Sequence, residues 1–215
     1  MSTLMRAPRP CGSWFWDLSD VHEPGLPSAL SIAARMADVL KKFDLLTPVR
    51  LEYGWYVLDA GSTGVTSSLI IATTPLNDPK LPERVMGSRP FAFPDAEVDD
   101  LKVVGSGSWI TAEGAARTEP RLIELAVSPD PLGPTAEVAV HHDVWSWFDF
   151  SGRPHPEIYN RNAPRLADAL RELTAVLGVG PEAGDATYFG HAVEYGISTP
   201  DAYDDGLGPN LTDKL

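Results

Sequence analysis

Residues 49–57 read Val-Arg-Leu-Glu-Tyr-Gly-Trp-Tyr-Val, and this stretch decides the fold class. The large apolar side chains Leu51, Tyr53 and Trp55 stand at every second position, with charged, small or polar-tipped residues between them. Because the side chains of a strand point alternately to its two faces, a period of two is typical of a half-buried β-strand. The stretch therefore predicts a sheet with one buried face.

Further β-branched and aromatic runs, separated by Gly and Pro, predict more strands in the middle of the chain. These runs cover residues 66–73, 102–111, 121–128, 136–142 and 144–150, with a last strand near 187–197. The connection at 128–134 is short. Short connections favour antiparallel neighbours, since a parallel pair needs a crossover of about a dozen residues or more.

Two amphipathic helices bracket these strands, because apolar residues recur at helical spacing in both segments. The first is predicted to begin at Ser28. The second is predicted to begin near Asn162, with Pro164 in its first turn, and to end at Gly178 as C-cap. Together these elements predict an α+β fold over residues 1–215. We expect a single domain, a mainly antiparallel sheet of five to seven strands, and both helices packed on one face.

Three segments depart from this regular pattern. We expect residues 1–13 to be flexible and residues 201–215 to form a flexible acidic tail. Residues 75–100 contain five prolines and end in a run of acids, which predicts a long loop. A loop longer than about 15 residues in a compact domain is usually functional or disordered, so this segment is a candidate binding loop.

The net charge is −13, and residues 181–215 hold seven acids and one base. Binding to nucleic acid depends on Lys and Arg releasing counterions from phosphates, and anionic membranes attract basic segments in the same way. We therefore expect neither nucleic acid nor a membrane surface as partner. No oligomeric state follows from the sequence.

Cys11 is the only cysteine in the sequence and cannot form an internal disulfide, which fits a reducing compartment. The first 13 residues lack an apolar run of signal-peptide length, and no run in the sequence approaches the roughly 20 apolar residues that span a bilayer. These observations predict a cytoplasmic location.

No complete catalytic motif is present in the sequence, so we expect no catalytic residue and no cofactor. His141, His142 and Asp143 are contiguous, but on a strand at most two of the three share a face. Catalytic zinc usually takes three protein ligands, so we expect no metal site here.

The sharpest local motif is Asp59-Ala60-Gly61-Ser62-Thr63-Gly64, which lies between two predicted strands. It resembles the first phosphate-binding loop of the apyrase and actin-like ATPase superfamily, in which a strand ends in Asp before a Gly/Ser/Thr turn. The resemblance implies phosphate contacts from Asp59, Gly61, Ser62, Thr63 and Gly64, in a nucleotide-binding domain or a small enzyme. The alternative interpretation is a β-hairpin turn made of turn-forming residues, which needs no ligand.

The leading hypothesis is an acidic binding protein that pairs with a basic protein partner, as an immunity protein neutralises a toxin. Opposite charge accelerates association, while buried aromatic side chains supply affinity. The predicted contact residues combine the acidic end of the proline-rich loop, the C-terminal segment and an N-terminal aromatic cluster. They are Asp99, Asp100, Tyr203, Asp204, Asp205, Trp14 and Trp16.

Overall fold

A computed structural model describes residues 4–215. The strands are β1 Gly12–Asp17, β2 Thr47–Val57, β3 Gly61–Ile70, β4 Glu97–Ile110, β5 Ala116–Pro120, β6 Glu124–Ser128, β7 Thr135–Val140, β8 Glu182–Ala183, β9 Ala192–Val193 and β10 Gly196–Ile197. The helices are α1 Leu26–Lys42, α2 Leu81–Met86 and α3 Pro156–Leu177, with short 3₁₀ helices at Asp143–Trp145 and Thr212–Lys214.

The predicted α+β class is confirmed. Eight strands form one antiparallel sheet in the order β3-β2-β4-β6-β7-β1-β8, with β5 paired to β4, and β9 and β10 form a separate hairpin. Helix α1 packs across β2, β4 and β6 and alongside α3, which contacts β4. The sheet has one strand more than the upper predicted number, because β1, β5 and β8 were not predicted and two predicted strands, 144–150 and 187–197, do not belong to it.

Helix α1 follows from its sequence. Its buried side chains include Leu30, Ala33, Met36 and Leu40, which lie on the stripe that faces the sheet. The helix begins at Leu26, two residues before the predicted Ser28. Gly25 occupies the N-cap position with a φ of 102°, a backbone region that suits glycine.

Helix α3 begins at Pro156, so the predicted start near Asn162 was too late. Asn162 is fully buried, and its side chain accepts a hydrogen bond from Ile110 N and donates to Ile110 O, both at 2.8 Å. Pro164 therefore lies inside the helix, where it removes one backbone donor. The predicted end holds, because Gly178 is the C-cap in the left-handed conformation.

From residue 4 onward the N-terminal segment lies against the sheet, in the region 1–13 that the sequence predicts to be flexible. Ala7 N donates to His141 O and Cys11 N donates to Val140 O, both at 2.7 Å. Ala7 and Cys11 are fully buried, and the segment leads directly into β1. Residues 1–3 lie outside the described part of the chain.

The segment 75–100 is not one long loop. It contains α2, whose Leu81 and Val85 are buried in the core, and its acidic end forms the start of β4. The hydroxyls of Tyr53 and Ser88 lie 2.6 Å apart and tie the end of α2 to β2.

The stretch 144–150 was predicted as a strand but forms a 3₁₀ helix followed by a turn. The Asp149 carboxylate accepts hydrogen bonds from Ser151 N and Arg153 N, both at 2.9 Å. Local bonds of this kind offer the backbone an alternative to the strand ladder. The predicted strand near 187–197 is the short β9–β10 hairpin.

Candidate functional site

The indoles of Trp14 and Trp16 belong to the core. Both side chains are 0% exposed, and Trp14 Nε1 donates to Glu194 O at 2.7 Å. Neither ring has surface to offer a partner in this fold, so burial does not support the partner-binding role predicted for these two residues. The aromatic residue of β1 that faces outward is Phe15, which is 40% exposed.

Asp99 and Asp100 lie side by side on the exposed face of β4. Tyr53 pairs with Leu101 and Trp55 with Val98, so three residue steps on β4 oppose two on β2. This mismatch is a β-bulge, which places two successive residues on one face. Val98 and Leu101 are buried while both aspartates are exposed.

The bulge adjoins a concave surface that we call the acidic groove. It consists of two neighbouring concavities of about 560 Å³ each, which share Tyr56, Leu58, Val98 and Pro131. Four carboxylates line the groove together with apolar side chains. The acids are Asp95, Glu97, Asp99 and Asp130, and the further apolar residues are Leu26, Met86, Pro129 and Leu132.

The apolar part of the groove is open to solvent. Leu58 is 71% exposed at the β2–β3 turn, and Leu132 is 91% exposed at the β6–β7 turn. Large aliphatic side chains at facing loop tips contribute nothing to the core of the isolated chain. Exposed apolar surface rimmed by charge is typical of an interaction site.

The acids of the groove have no ion-pair partner among the described residues, although Arg89 donates to Pro94 O beside Asp95. None of the four forms an ion pair within 4.0 Å anywhere in residues 4–215, and no Lys or Arg of that range lines the groove. The pKa of Tyr56, which lies between these acids, reflects their negative electrostatic potential. Burial, followed by the charges of Glu97, Asp130 and Asp99, raises the pKa of its phenol above the usual value. A cation entering the groove would meet several carboxylates.

The charges on the centre of the sheet are arranged in the opposite way. Arg121 bridges Glu52 and Glu124, and Arg6 and His141 also contact Glu124. Hydrogen bonding from His141 and the nearby arginines lowers the pKa of Glu124 to about 2, although burial opposes this shift. This network, which the sequence analysis missed, pairs its acids and bases internally.

Carboxylates without an ion-pair partner within 4.0 Å also occur elsewhere in residues 4–215, as at Asp204 and Asp205. The groove differs because its unpaired acids line a concave surface together with exposed apolar side chains.

The C-terminal contact residues lie elsewhere. Tyr203 is 61% exposed and begins a tight turn, in which Tyr203 N donates to Leu207 O and Gly206 N donates to Tyr203 O. Asp204 and Asp205 are exposed within this turn. None of these residues lines the acidic groove.

Residues 208–211 attach the tail to the body of the protein. Gly208 N donates to Gly152 O at 2.8 Å and Leu211 N donates to Phe150 O at 2.7 Å. The predicted flexible tail 201–215 is therefore anchored in its second half. The structure does not bring the tail together with Asp99 and Asp100.

The Asp59–Gly64 loop is the turn of the β2–β3 hairpin. Val57 pairs with Gly61 and Tyr56 with Ser62. The Thr63 hydroxyl donates to Trp55 O at 2.9 Å, so it already has a partner within the hairpin.

Two buried polar residues, His142 and Asp143, follow the end of β7 in the chain. Burial is the largest cause that lowers the pKa of His142 to about 4 and raises that of Asp143 to about 7. The Asp143 carboxylate accepts a hydrogen bond from Phe150 N at 3.4 Å. The pair supports the loop on which the tail is anchored, and its members are within the fold and not on its surface.

In the part of the chain from residue 4 onward, no group of three His, Cys, Asp or Glu side chains has a geometry that could hold a metal ion. None of the helices in that part combines the length and apolar character needed to cross a membrane. No protein-family model, curated protein or solved structure matches this chain.

Proposed function

We propose that this chain is an acidic binding protein that docks a basic protein partner in the acidic groove, as a cytoplasmic immunity protein docks the toxin that it neutralises. One observation carries the proposal: four carboxylates without an ion-pair partner within 4.0 Å lie around an exposed apolar floor that includes Leu58 and Leu132. Of the predicted contacts, Asp99 lies in this groove and Asp100 lies beside it.

The two kinds of surface have separate roles in binding. Unpaired carboxylates attract a basic partner and raise its association rate. Leu58, Leu132 and the ring of Tyr56 offer apolar area whose burial contributes roughly 25 cal/mol per Å² before the costs of association. A partner segment with an apolar side chain between Lys or Arg residues would contact both the carboxylates and the apolar side chains of the groove.

The phosphate alternative gains no support from the loop geometry. Gly61 and Ser62 line the same groove as Asp99 and Asp130, whose negative charge repels a phosphate. The hydroxyl of Thr63 is also engaged within the hairpin. We therefore carry only the protein-binding proposal forward.

The test is a peptide-display selection against the wild-type chain and against the double variant Glu97→Lys/Asp99→Lys. We expect wild-type binders to combine Lys or Arg with apolar residues and to lose at least about 100-fold in affinity for the variant. Like charges placed directly opposite each other at an interface are strongly unfavourable. Binders without an excess of basic residues, or with equal affinity for both chains, would overturn the proposal.

The toxin-like character of the partner needs a separate measurement. Basic proteins encoded beside the gene for this chain are expressed with it and without it in a test host. Growth arrest that this chain relieves, and that the double variant does not relieve, supports an immunity role. A neighbouring basic protein that binds the groove without affecting growth would restrict the function to binding.

A further inference from the structure

The edge strand β3 lacks the features that protect sheet edges. It is ten residues long, Gly61–Ile70, and contains neither proline nor a charged residue. Edge strands are usually guarded by short length, proline or charge, because their free N–H and C=O groups can pair with another chain. The opposite edge, β8, spans only two residues.

No segment within residues 4–215 pairs with the outer edge of β3. The strand pairs with β2 alone, and no other described segment forms a backbone hydrogen bond with it. Thr66 through Ile70 pair in unbroken register with Gly54 through Arg50 of β2, so this half of the edge is regular. Ile70 is 72% exposed, although it is a large aliphatic residue.

The edge leads into the acidic groove. Gly61 and Ser62 begin β3, and both line the groove beside Asp99 and Asp130. An extended segment added along Thr66–Ile70 lies three strand positions, about 14 Å, from β4. Its residues beyond Ser62 would therefore have to cross the end of the β2–β3 hairpin to reach these carboxylates. Because the uncharged edge adjoins the acidic groove, an occupant of the edge should be an extended segment with basic residues at the end nearer the groove.

We propose that β3 accepts an extended, basic segment of the partner as an added strand along Thr66–Ile70, with flanking Lys or Arg side chains entering the acidic groove. In this mode the backbone supplies affinity and side-chain subsites supply specificity. The proposal deepens the proposed function and rests on it. A second copy of this chain is a poorer occupant, because each copy carries a net charge of −13 and would bring its own acids to the contact.

The test uses a capped ten-residue peptide of alternating Lys and Val and two relatives, one N-methylated at every Val and one at every Lys. Successive N–H groups of a strand point to opposite edges, so each methylated peptide loses the donors of one edge. Calorimetric titration of the full-length chain should show one methylated peptide bound at least about 30-fold more weakly. The other should stay within about threefold of the parent. Equal loss, or no loss, would overturn strand addition.

Hydrogen exchange gives a second readout that needs no variant of the protein. Binding of the parent peptide should slow exchange at least about tenfold at alternate amides within 66–70. The matched control is the region 116–120 of β5, whose amides should be unchanged. Unchanged exchange in β3, or protection of the same amides by self-association without peptide, would overturn the proposal.

The outcomes separate the two proposals. If the parent peptide loses affinity for Glu97→Lys/Asp99→Lys but methylation has no effect and β3 amides are not protected, the groove proposal stands and strand addition falls. If neither the parent peptide nor displayed basic binders bind the wild-type chain, both proposals fall.

Discussion

The acidic groove and the C-terminal segment 201–215 are both rich in acids, but they present these acids differently. In the groove, Asp99 and Asp130 flank the exposed side chains Leu58 and Leu132. In the tail, Asp204 and Asp205 project from a tight turn that lines neither groove concavity. Apolar side chains lie beside the acids in both regions, since Tyr203 and Leu207 are exposed in the tail. Of the two regions, the groove is the one that gathers its acids around a concavity, and we propose docking there for that reason.

The two regions also differ in how they are held. Glu97 and Asp99 of the groove lie in β4, which pairs with β2, whereas Asp95 and Asp130 lie in the adjoining loops. The tail is attached through Gly208 and Leu211, with the acidic turn projecting beyond these contacts. Preorganised charges bind with a smaller entropic cost than charges on a loop.

The largest expected effect is charge reversal in the groove. Glu97→Lys/Asp99→Lys should raise the dissociation constant for the purified partner at least about 100-fold in 0.1 M salt, which corresponds to about 3 kcal/mol of binding free energy. The reason is that attraction becomes repulsion at a fixed contact. The isosteric control Glu97→Gln/Asp99→Asn should fall between this variant and the wild type. An unchanged dissociation constant, measured by calorimetry with an unchanged melting temperature, would exclude the groove.

The second expected effect concerns the pH-dependent stability that arises from the buried Asp143, which supports the loop to which the tail is attached. Its folded pKa of about 7 exceeds its unfolded value of 3.8, so the folded state gains a proton between these values and loses stability as pH rises through this window. Asp143→Asn should therefore stabilise the chain at pH 8 by about 2 kcal/mol, below the roughly 4 kcal/mol of the full shift because the site relaxes. At pH 4 the folded carboxyl is neutral and the unfolded one only partly ionised, so the gain should fall below about 1 kcal/mol.

Denaturant unfolding at both pH values measures this effect. The control is Asp201→Asn, which removes one exposed acid from the same end of the molecule and should change little at either pH. His142 adds an opposite slope between about pH 4 and 6.5, since its folded pKa is lowered. Equal stabilisation by Asp143→Asn at pH 4 and pH 8 would show that ionisation is not the cause.

The sequence predicts most of the fold because strong local patterns agree with the packing. The stripe of α1 and the alternation of β2 survive as predicted, since each buries one regular face. The strand Gly12–Asp17 also alternates, with Trp14 and Trp16 inward and Phe15 and Asp17 outward. That period was available in the sequence and would have placed both indoles in the core.

The groove could not be predicted in the same way. Asp99 and Asp100 share a face only because β4 bulges against β2, and a bulge depends on the register between two strands. Asp130 and Leu132 reach Asp99 through the pairing of β4 with β6. Long-range pairing of this kind leaves no local signal, so the sequence showed the acids but not their convergence.

The apolar floor should contribute less than the charges of the groove. Leu58→Ser and Leu132→Ser should each lower the affinity for the partner by about 10-fold, because each removes exposed aliphatic surface that a partner buries. Neither should lower the melting temperature, since the side chains are 71% and 91% exposed. Leu207→Ser, at a 40% exposed leucine of the tail, is the matched control and should leave affinity unchanged. A loss for Leu207→Ser equal to that for Leu58→Ser would place the tail in the interface.

The smallest effect is expected in the tail itself. Asp204→Lys/Asp205→Lys should slow association two- to threefold at 0.05 M salt and leave dissociation unchanged, because exposed charges away from the contact act only through the long-range field. The Debye length shortens from about 10 Å at 0.1 M salt, so the effect should disappear by 0.5 M. Stopped-flow measurement of both rate constants separates steering from contact. Faster dissociation of this variant, at either salt concentration, would make Asp204 and Asp205 part of the docking site, and the comparison between the two acidic regions would then lose its physical basis.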